Sequence, residues 1–274
     1  MRLTFYGVRG STPSVCEENC RYGGNTASVV LDEPGEIPIL FDLGTGLRRY
    51  GRDCPMDGTF SAVALISHLH WDHVQGLPFF PPLHVPGAEL DIYGPTQAEG
   101  PLAEVFDDLM RPPYFPIRCS ELGGQVTFHG VTSDSFVVGG HKITVRPVPH
   151  KGPTVGYRVE SAHGSVAYIS DHQAPANLDT VADGVLELVD GVDVLVHDAQ
   201  YTPAEFDRKR DWGHCTLDYA LLVAREAGAK RLVMFHHDPA HSDDDIDAML
   251  ATLRATAGES IDVIAAHEGL VLDV

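Results

Sequence analysis

Three histidines and one aspartate fall within six positions in His68-Leu69-His70-Trp71-Asp72-His73, directly after the apolar segment AVALIS. In an extended stretch His68 and His70 point the same way and can grip one ion, while Asp72 and His73 turn toward a neighbouring position. Imidazoles combined with carboxylates suit zinc, with manganese and iron as competitors. The alternative, three imidazoles and a carboxylate gathered at a strand end for solubility, leaves ring nitrogens unpaired near a core and is disfavoured. Groups of the same types recur where apolar segments end: His150 after VRPVP, Asp171 after AYIS, His197 and Asp198 in LVHDAQ, and His236 with His237 after RLVMF, while His214 stands in WGHCT after the charged DRKRD. His150 alone is as well explained as a polar strand end, whereas a carboxylate such as Asp171 at a strand terminus is costly to bury without a cation. Of the adjacent pair, His236 follows the strand immediately and is the one expected to face a shared site. Asp42, after IPILF, is expected to orient the HLHWDH loop rather than to bind an ion itself.

Such groups need a scaffold that brings strand ends together. About a dozen β-branched or aromatic segments read as strands, from RLTFYG through AVALIS, VGYRVE and RLVMFH to a final DVIAAHEGLVLDV. Helical patterns are fewer: PLAEVFDDLM, ANLDTVADGVLELV, TLDYALLVAREAG and DDDIDAMLATLRATAG, the last opening with acids as a helix start does. The irregular alternation fits two packed sheets with helices outside better than a doubly wound parallel sheet. The chemistry is then expected on one rim of loops.

The 274 residues, 43% of them apolar, can bury a full core, and one domain spanning residues 1–274 is expected. No apolar run approaches the roughly 18 to 20 residues of a membrane span, and MRLTFYGVRG carries no signal-peptide apolar region, so a soluble cytoplasmic protein is expected. Five cysteines at irregular spacing do not form an even disulfide framework. Cys16 and Cys20 read as free thiols, because a lone Cys-x3-Cys pair cannot complete four-coordinate zinc. A formal charge of −20 opposes polyanion binding through counterion release. GTG in FDLGTG is a weak phosphate-loop signal and as common in tight turns. Arg111, Tyr114 and Phe115 suit a substrate-pocket wall or, for the aromatics, core packing. Asn25 suits either a bond to the metal loop or a turn.

HLHWDH resembles the HxHxDH signature of the metallo-β-lactamase superfamily, and the segments around His150, Asp171, His197, His214 and His236 resemble its later motifs. The resemblance covers nearly the whole chain and implies an α/β (α+β) fold, a four-layer αββα sandwich. It implies that His68, His70 and His150 hold one divalent metal ion, that Asp72, His73 and His236 hold a second, and that Asp171 bridges them. Two ions about 3.5 to 4 Å apart can share a hydroxide nucleophile, so a hydrolase follows, with zinc the first choice and Mn2+ or Fe2+ possible. GHCT, a helix and RLVMFHH in that order, with GYRVE after His150, are similar to the branch containing ribonuclease Z and the cyclic ribosyl phosphate phosphodiesterase. That similarity implies a catalytic, non-ligand role for His214 at the scissile phosphate and supporting roles for His197 and Asp198, and attack by a metal-activated water gives Asp72 a proton relay. HDAQ carries Asp198 where the branch has Glu, which is one methylene longer. The segment between His73 and His150 lacks the basic, arm-like character of the tRNA-processing enzymes, and with the charge of −20 this argues against a tRNA substrate. The expectation is a phosphodiesterase for small cyclic or linear diesters, with no tRNA or membrane partner and with homodimerisation as in the branch. A metal-dependent thioesterase or lactonase would use the same ions, and a purely structural metal module is a further alternative.

Overall fold

The computed structural model describes residues 1–274 and consists of two seven-stranded sheets packed face to face, with helices on both outer surfaces. The first sheet contains β1 (Arg2–Gly7), β2 (Ser28–Asp32), β3 (Ile39–Phe41), β4 (Ser61–Leu65), β5 (Glu89–Pro95) and β6 (Gln125–Val131). The second contains β7 (Ser135–Val138), β8 (His141–Pro147), β9 (Val155–Ser161), β10 (Gly164–Ile169), β11 (Val194–Asp198), β12 (Arg231–Phe235) and β13 (Asp262–Ala265), while β14 (Val271–Asp273) returns to the first. The helices are α1 (Leu47–Tyr50), α2 (Trp71–Val74), α3 (Leu102–Leu109), α4 (Asp183–Val189), α5 (Pro203–Lys209), α6 (Leu217–Glu226) and α7 (Asp243–Ala257).

Alternation along the strands builds the layers. In β4, Val63 and Leu65 turn inward with Phe5, Phe41, Tyr168, Val196 and Phe235 to fill the space between the sheets. Ala62 and Ala64 turn outward with Leu90 against Val74, Phe80, Leu102 and Phe106. On the other side, Leu195, Leu232 and Met234 pack against Leu188 of α4, Leu221 of α6 and Leu253 of α7. No helix is long and apolar enough to cross a membrane.

Some elements differ from the sequence reading. DVIAAHEGLVLDV is two strands in different sheets: β13 runs parallel to β12, and β14 pairs antiparallel with β1. The intervening HEG turn, with Gly269 at φ +84°, makes the crossing. In ANLDTVADGVLELV only Asp183–Val189 is helical, because Ala182 is already extended. Helix α5 adds to the expected helices and has a local cause: Thr202 accepts from the amide of Glu205 while the Glu205 carboxylate accepts from the amide of Thr202, and Pro203 opens the first turn. Strand β7, four residues at a sheet edge, gave too short a pattern to read.

The topology decides where chemistry can sit. Strands β3, β4, β5 and β6 are parallel, as are β10, β11, β12 and β13, and β8 shares the direction of β10 because both are antiparallel to β9. Asp42, His68, His150, Asp171, Asp198 and His236 therefore all stand at or just beyond carboxyl ends of strands, on one rim of the sandwich.

Candidate metal centre

Seven side chains converge on that rim. His68 Nε2 lies 2.8 Å from His70 Nδ1, and His150 Nε2 lies 3.3 Å from the same atom. A second group forms where Asp72 Oδ2 is 3.1 Å from both His73 Nε2 and His236 Nε2. Asp171 stands between the two groups. Its Oδ1 is 3.2 Å from His73 Nε2 and 3.4 Å from His236 Nε2, while its Oδ2 is 3.7 Å from His150 Nε2 and 3.8 Å from His68 Nε2. One carboxylate thus offers an oxygen to each trio.

Hydrogen bonds behind the ring nitrogens fix which lone pairs point inward. His73 Nδ1 donates to Asp42 Oδ2 at 2.7 Å, His150 Nδ1 to the Gly213 carbonyl at 2.6 Å, His236 Nδ1 to Gln200 Oε1 at 2.8 Å, and His68 Nδ1 to Ser67 Oγ at 3.0 Å. Each of those four rings then presents Nε2 to the centre, and His70 presents Nδ1. Asp42 is the hub: its carboxylate also accepts from the Ser67 amide and hydroxyl and from the Tyr168 hydroxyl, and the residue sits at φ +56° at the end of β3. Asp72 is aimed by the Ser11 amide at 2.7 Å.

The residues fit divalent ions by a direct test. His73 Nε2 and Asp171 Oδ1 are buried and have no hydrogen-bond partner, though they face each other across 3.2 Å. Leaving such atoms unmet costs on the order of 1–3 kcal/mol each, and a cation between them removes that cost. The charges agree. Burial works against the His73 imidazolium, but the carboxylates of Asp72, Asp171 and Asp42 outweigh it and hold the group well above the usual histidine range. Burial likewise opposes ionisation of Asp171, yet His236, His73 and His68 keep it well below the usual carboxylate range. His68, dominated by burial, is pushed down. The rim is an anionic, imidazole-rich pocket that a proton on His73 satisfies only in part.

His214 stands beside the seven. Its Nδ1 donates to Asp198 Oδ2 at 2.9 Å, and its ring stacks on that of His236 at 4.9 Å between centroids. The Asp198 carboxylate also receives the amides of His172 and Gln200, so the shorter side chain does reach a supporting position. His197 does not. It neighbours Asp198 on β11 and so faces the opposite side of the sheet, where its Nε2 meets His172 Nδ1 at 3.0 Å. His237 turns away and bonds the Ala266 carbonyl. Asn25 bonds Glu268, not the metal loop. The GTG turn buttresses that loop: a Cβ on Gly44 would fall 2.4 Å from the Asp72 carbonyl. Arg111, Tyr114 and Phe115 lie outside the cleft, with Arg111 paired to Asp108 and Phe115 edge-on to Phe79. Ser67, Gln200 and Gly213 have no signal of their own in the sequence, because a hydroxyl, a side-chain amide and a backbone carbonyl become supports only once the fold sets them against His68, His236 and His150.

Gly213 gives a test of this outer layer. It sits at φ +98°, and a Cβ there would come 2.5 Å from the His150 ring. Gly213→Ala is expected to displace His150 and weaken metal binding at the His68, His70, His150 group by about 10- to 100-fold. Chelator competition would measure this, and unchanged affinity would mean His150 is not a ligand.

A cleft of about 520 Å³ opens onto the rim, lined by Ser11, His70, Trp71, Trp212 and His214 among others. Residues 39–237 match the beta-lactamase superfamily domain. Ribonuclease Z of Haloarcula marismortui is 26% identical over 280 residues, covering 86% of each chain. The crystal structure of a new diphosphatase from the PhnP family superposes with a TM-score of 0.72 at 23% identity, covering 100% of this chain and 97% of that one. The human short-form tRNase Z gives a TM-score of 0.72 at 23% identity, covering 100% and 99%. The chain belongs to the metallo-β-lactamase superfamily, on its ribonuclease Z-like branch, and is a metal-dependent hydrolase.

Proposed function

We propose that the protein is a dinuclear phosphodiesterase for small cyclic or linear phosphodiesters, with residues 1–274 acting as one catalytic unit. The observation that carries this reading is the Asp198–His214 pair beside the seven-residue cluster. An imidazole whose Nδ1–H is given to a buried carboxylate keeps Nε2 for a phosphate or leaving oxygen. The relatives named as ribonuclease Z and the neighbour named as a diphosphatase favour chemistry at phosphorus over carbonyl carbon.

His68, His70 and His150 would hold one ion and Asp72, His73 and His236 the other, with Asp171 shared. When bound, two such ions supply Lewis acidity and bring the pKa of water toward neutrality, and the donor set is compatible with Zn2+, Mn2+ or Fe2+. The chain's own residues do the rest. Asp72, despite burial, is held ionised by His73 and His236; its Oδ2 is turned to those rings and to the Ser11 amide, which leaves Oδ1 to take a proton as water is consumed. Burial opposes the His214 imidazolium, but the Asp198 carboxylate, ahead of Asp171 and Asp72, raises it above the usual histidine range, and with Nδ1 given to Asp198 the ring keeps Nε2 for the leaving oxygen. No side chain needs to form a covalent bond to phosphorus.

Precursor tRNA is a poorer fit, despite the relatives' names. The segment between β5 and β6 folds back as α3 with Leu102 and Phe106 buried against the first sheet, which supports no protruding arm. Bis(p-nitrophenyl) phosphate, a thioester, a lactone and a precursor tRNA should be assayed together. The diester is expected to be hydrolysed fastest, with the activity lost to chelator and restored by zinc or manganese. Faster turnover of the thioester or lactone would move the assignment to acyl chemistry, and efficient tRNA cleavage at physiological salt would overturn the small-substrate reading. Homodimerisation, suggested by the branch, is checked by light scattering on the same preparation.

A further inference from the structure

The chain has two tryptophans, Trp71 and Trp212, and both line the metal cleft. Each is largely exposed, 72% for Trp71 and 64% for Trp212. Large rings scattered singly on a surface are ordinary, but two on the mouth of one polar cleft are the composition of a recognition site. They come from opposite sheets: Trp71 follows β4 and lies between His70 and Asp72, while Trp212 follows α5 of the second layer.

Trp212 is held in position. Its amide bonds the Lys209 carbonyl at 3.0 Å, and Lys209 Nζ lies 5.6 Å from the ring centroid. Gln173 spans the same loop, donating to the Arg210 carbonyl at 2.6 Å and accepting from the Gly213 amide at 2.8 Å. The Gly213 carbonyl in turn receives His150 Nδ1. Trp71 opens α2, whose first turn is closed by the Gln75 amide on the Trp71 carbonyl. Both rings are therefore carried by the same ordered backbone as the candidate ligands, which sets where each enters the cleft.

Resting on the phosphodiesterase reading, we propose that Trp71 and Trp212 form an aromatic subsite for the base of a nucleotide, so that the substrate is a nucleoside phosphodiester. Among biological phosphodiesters the nucleotides carry a flat heteroaromatic group one sugar away from phosphorus. Stacking on such rings tolerates any base. The cleft, about 520 Å³, falls inside the roughly 300–1,000 Å³ of small-molecule sites, which favours a mono- or dinucleotide over a polymer.

Calorimetric titration of the metal-loaded protein with AMP and with ribose 5-phosphate separates base from phosphate, and tryptophan fluorescence reports the subsite directly because no other tryptophan contributes. AMP is expected to quench fluorescence and to bind at least about 10-fold tighter than ribose 5-phosphate. Trp71→Ala and Trp212→Ala should each weaken AMP by roughly 10-fold, leave ribose 5-phosphate and metal content unchanged, and be rescued in large part by Phe. Equal affinity for the two probes, or alanine variants that bind AMP like the parent, would overturn the subsite. If the base preference stands while no phosphodiester is hydrolysed, the diesterase reading fails and the subsite survives. If diesters are hydrolysed with no base preference, only the subsite fails.

Discussion

Replacing Asp171 with alanine is expected to lower the occupancy of both metal positions, whereas the parent chain should hold about two equivalents of transition metal. The reason is geometric. Asp171 Oδ1 faces His73 and His236, and Oδ2 faces His68 and His150, so deleting one carboxylate removes an oxygen from each trio. Each trio would keep three protein donors, as many as catalytic zinc sites use, but would lose the shared carboxylate oxygen and its charge, so both affinities fall together. Asp171→Asn supplies the sharper comparison. Its amide keeps one oxygen for one trio and presents a hydrogen-bearing nitrogen to the other, so it is expected to retain about one equivalent. Elemental analysis after dialysis against metal-free buffer reads both. An alanine variant that loses a single equivalent would show that Asp171 serves one ion, and one that loses none would remove it from the centre.

What the sequence made legible follows from how local each signal is. HLHWDH announces itself because three imidazoles and a carboxylate are packed into one turn of chain. His150, Asp171 and His236 lie far from it in sequence and were tied to it through a family pattern, while the rim that unites them is a product of parallel strand pairing. Asp42 could be read as a supporting carboxylate from its position after a strand, and its four hydrogen bonds account for that position. His197 shows the limit. Sequence adjacency to Asp198 drew both into the site, but strand alternation sends neighbours to opposite faces. The split of the last segment between sheets was hidden for a related reason: a β-rich run reports extended backbone, not which sheet receives it.

His214→Ala is expected to keep its metal and lose its turnover. The ring makes its one hydrogen bond from Nδ1 to Asp198, and the nearest Asp171 oxygen is 3.7 Å from that same nitrogen, so the contact with the bridging carboxylate uses an atom already committed. The trios His68, His70, His150 and Asp72, His73, His236 form without it, although His214 also stands within reach of Asp171 and His236, which makes metal content the deciding measurement. His214 is instead carried by the loop that enters α6, whose start is fixed by Thr216 accepting from the Tyr219 amide, and it reaches the cleft beside His236. Removing a donor aimed at developing charge on oxygen typically lowers kcat by about 10² to 10³. Phosphodiesterase kcat should fall by that factor, while metal content and thermal midpoint stay near those of the parent. Asp198→Asn discriminates a catalytic ring from a merely structural one. The amide can no longer hold the imidazole with Nδ1–H directed to a charged acceptor, so kcat should drop by about 10- to 100-fold with metal retained. Loss of an equivalent of metal in His214→Ala would make His214 a ligand. Full activity would make it a bystander, and the assignment to phosphorus would lose the side chain on which it most depends.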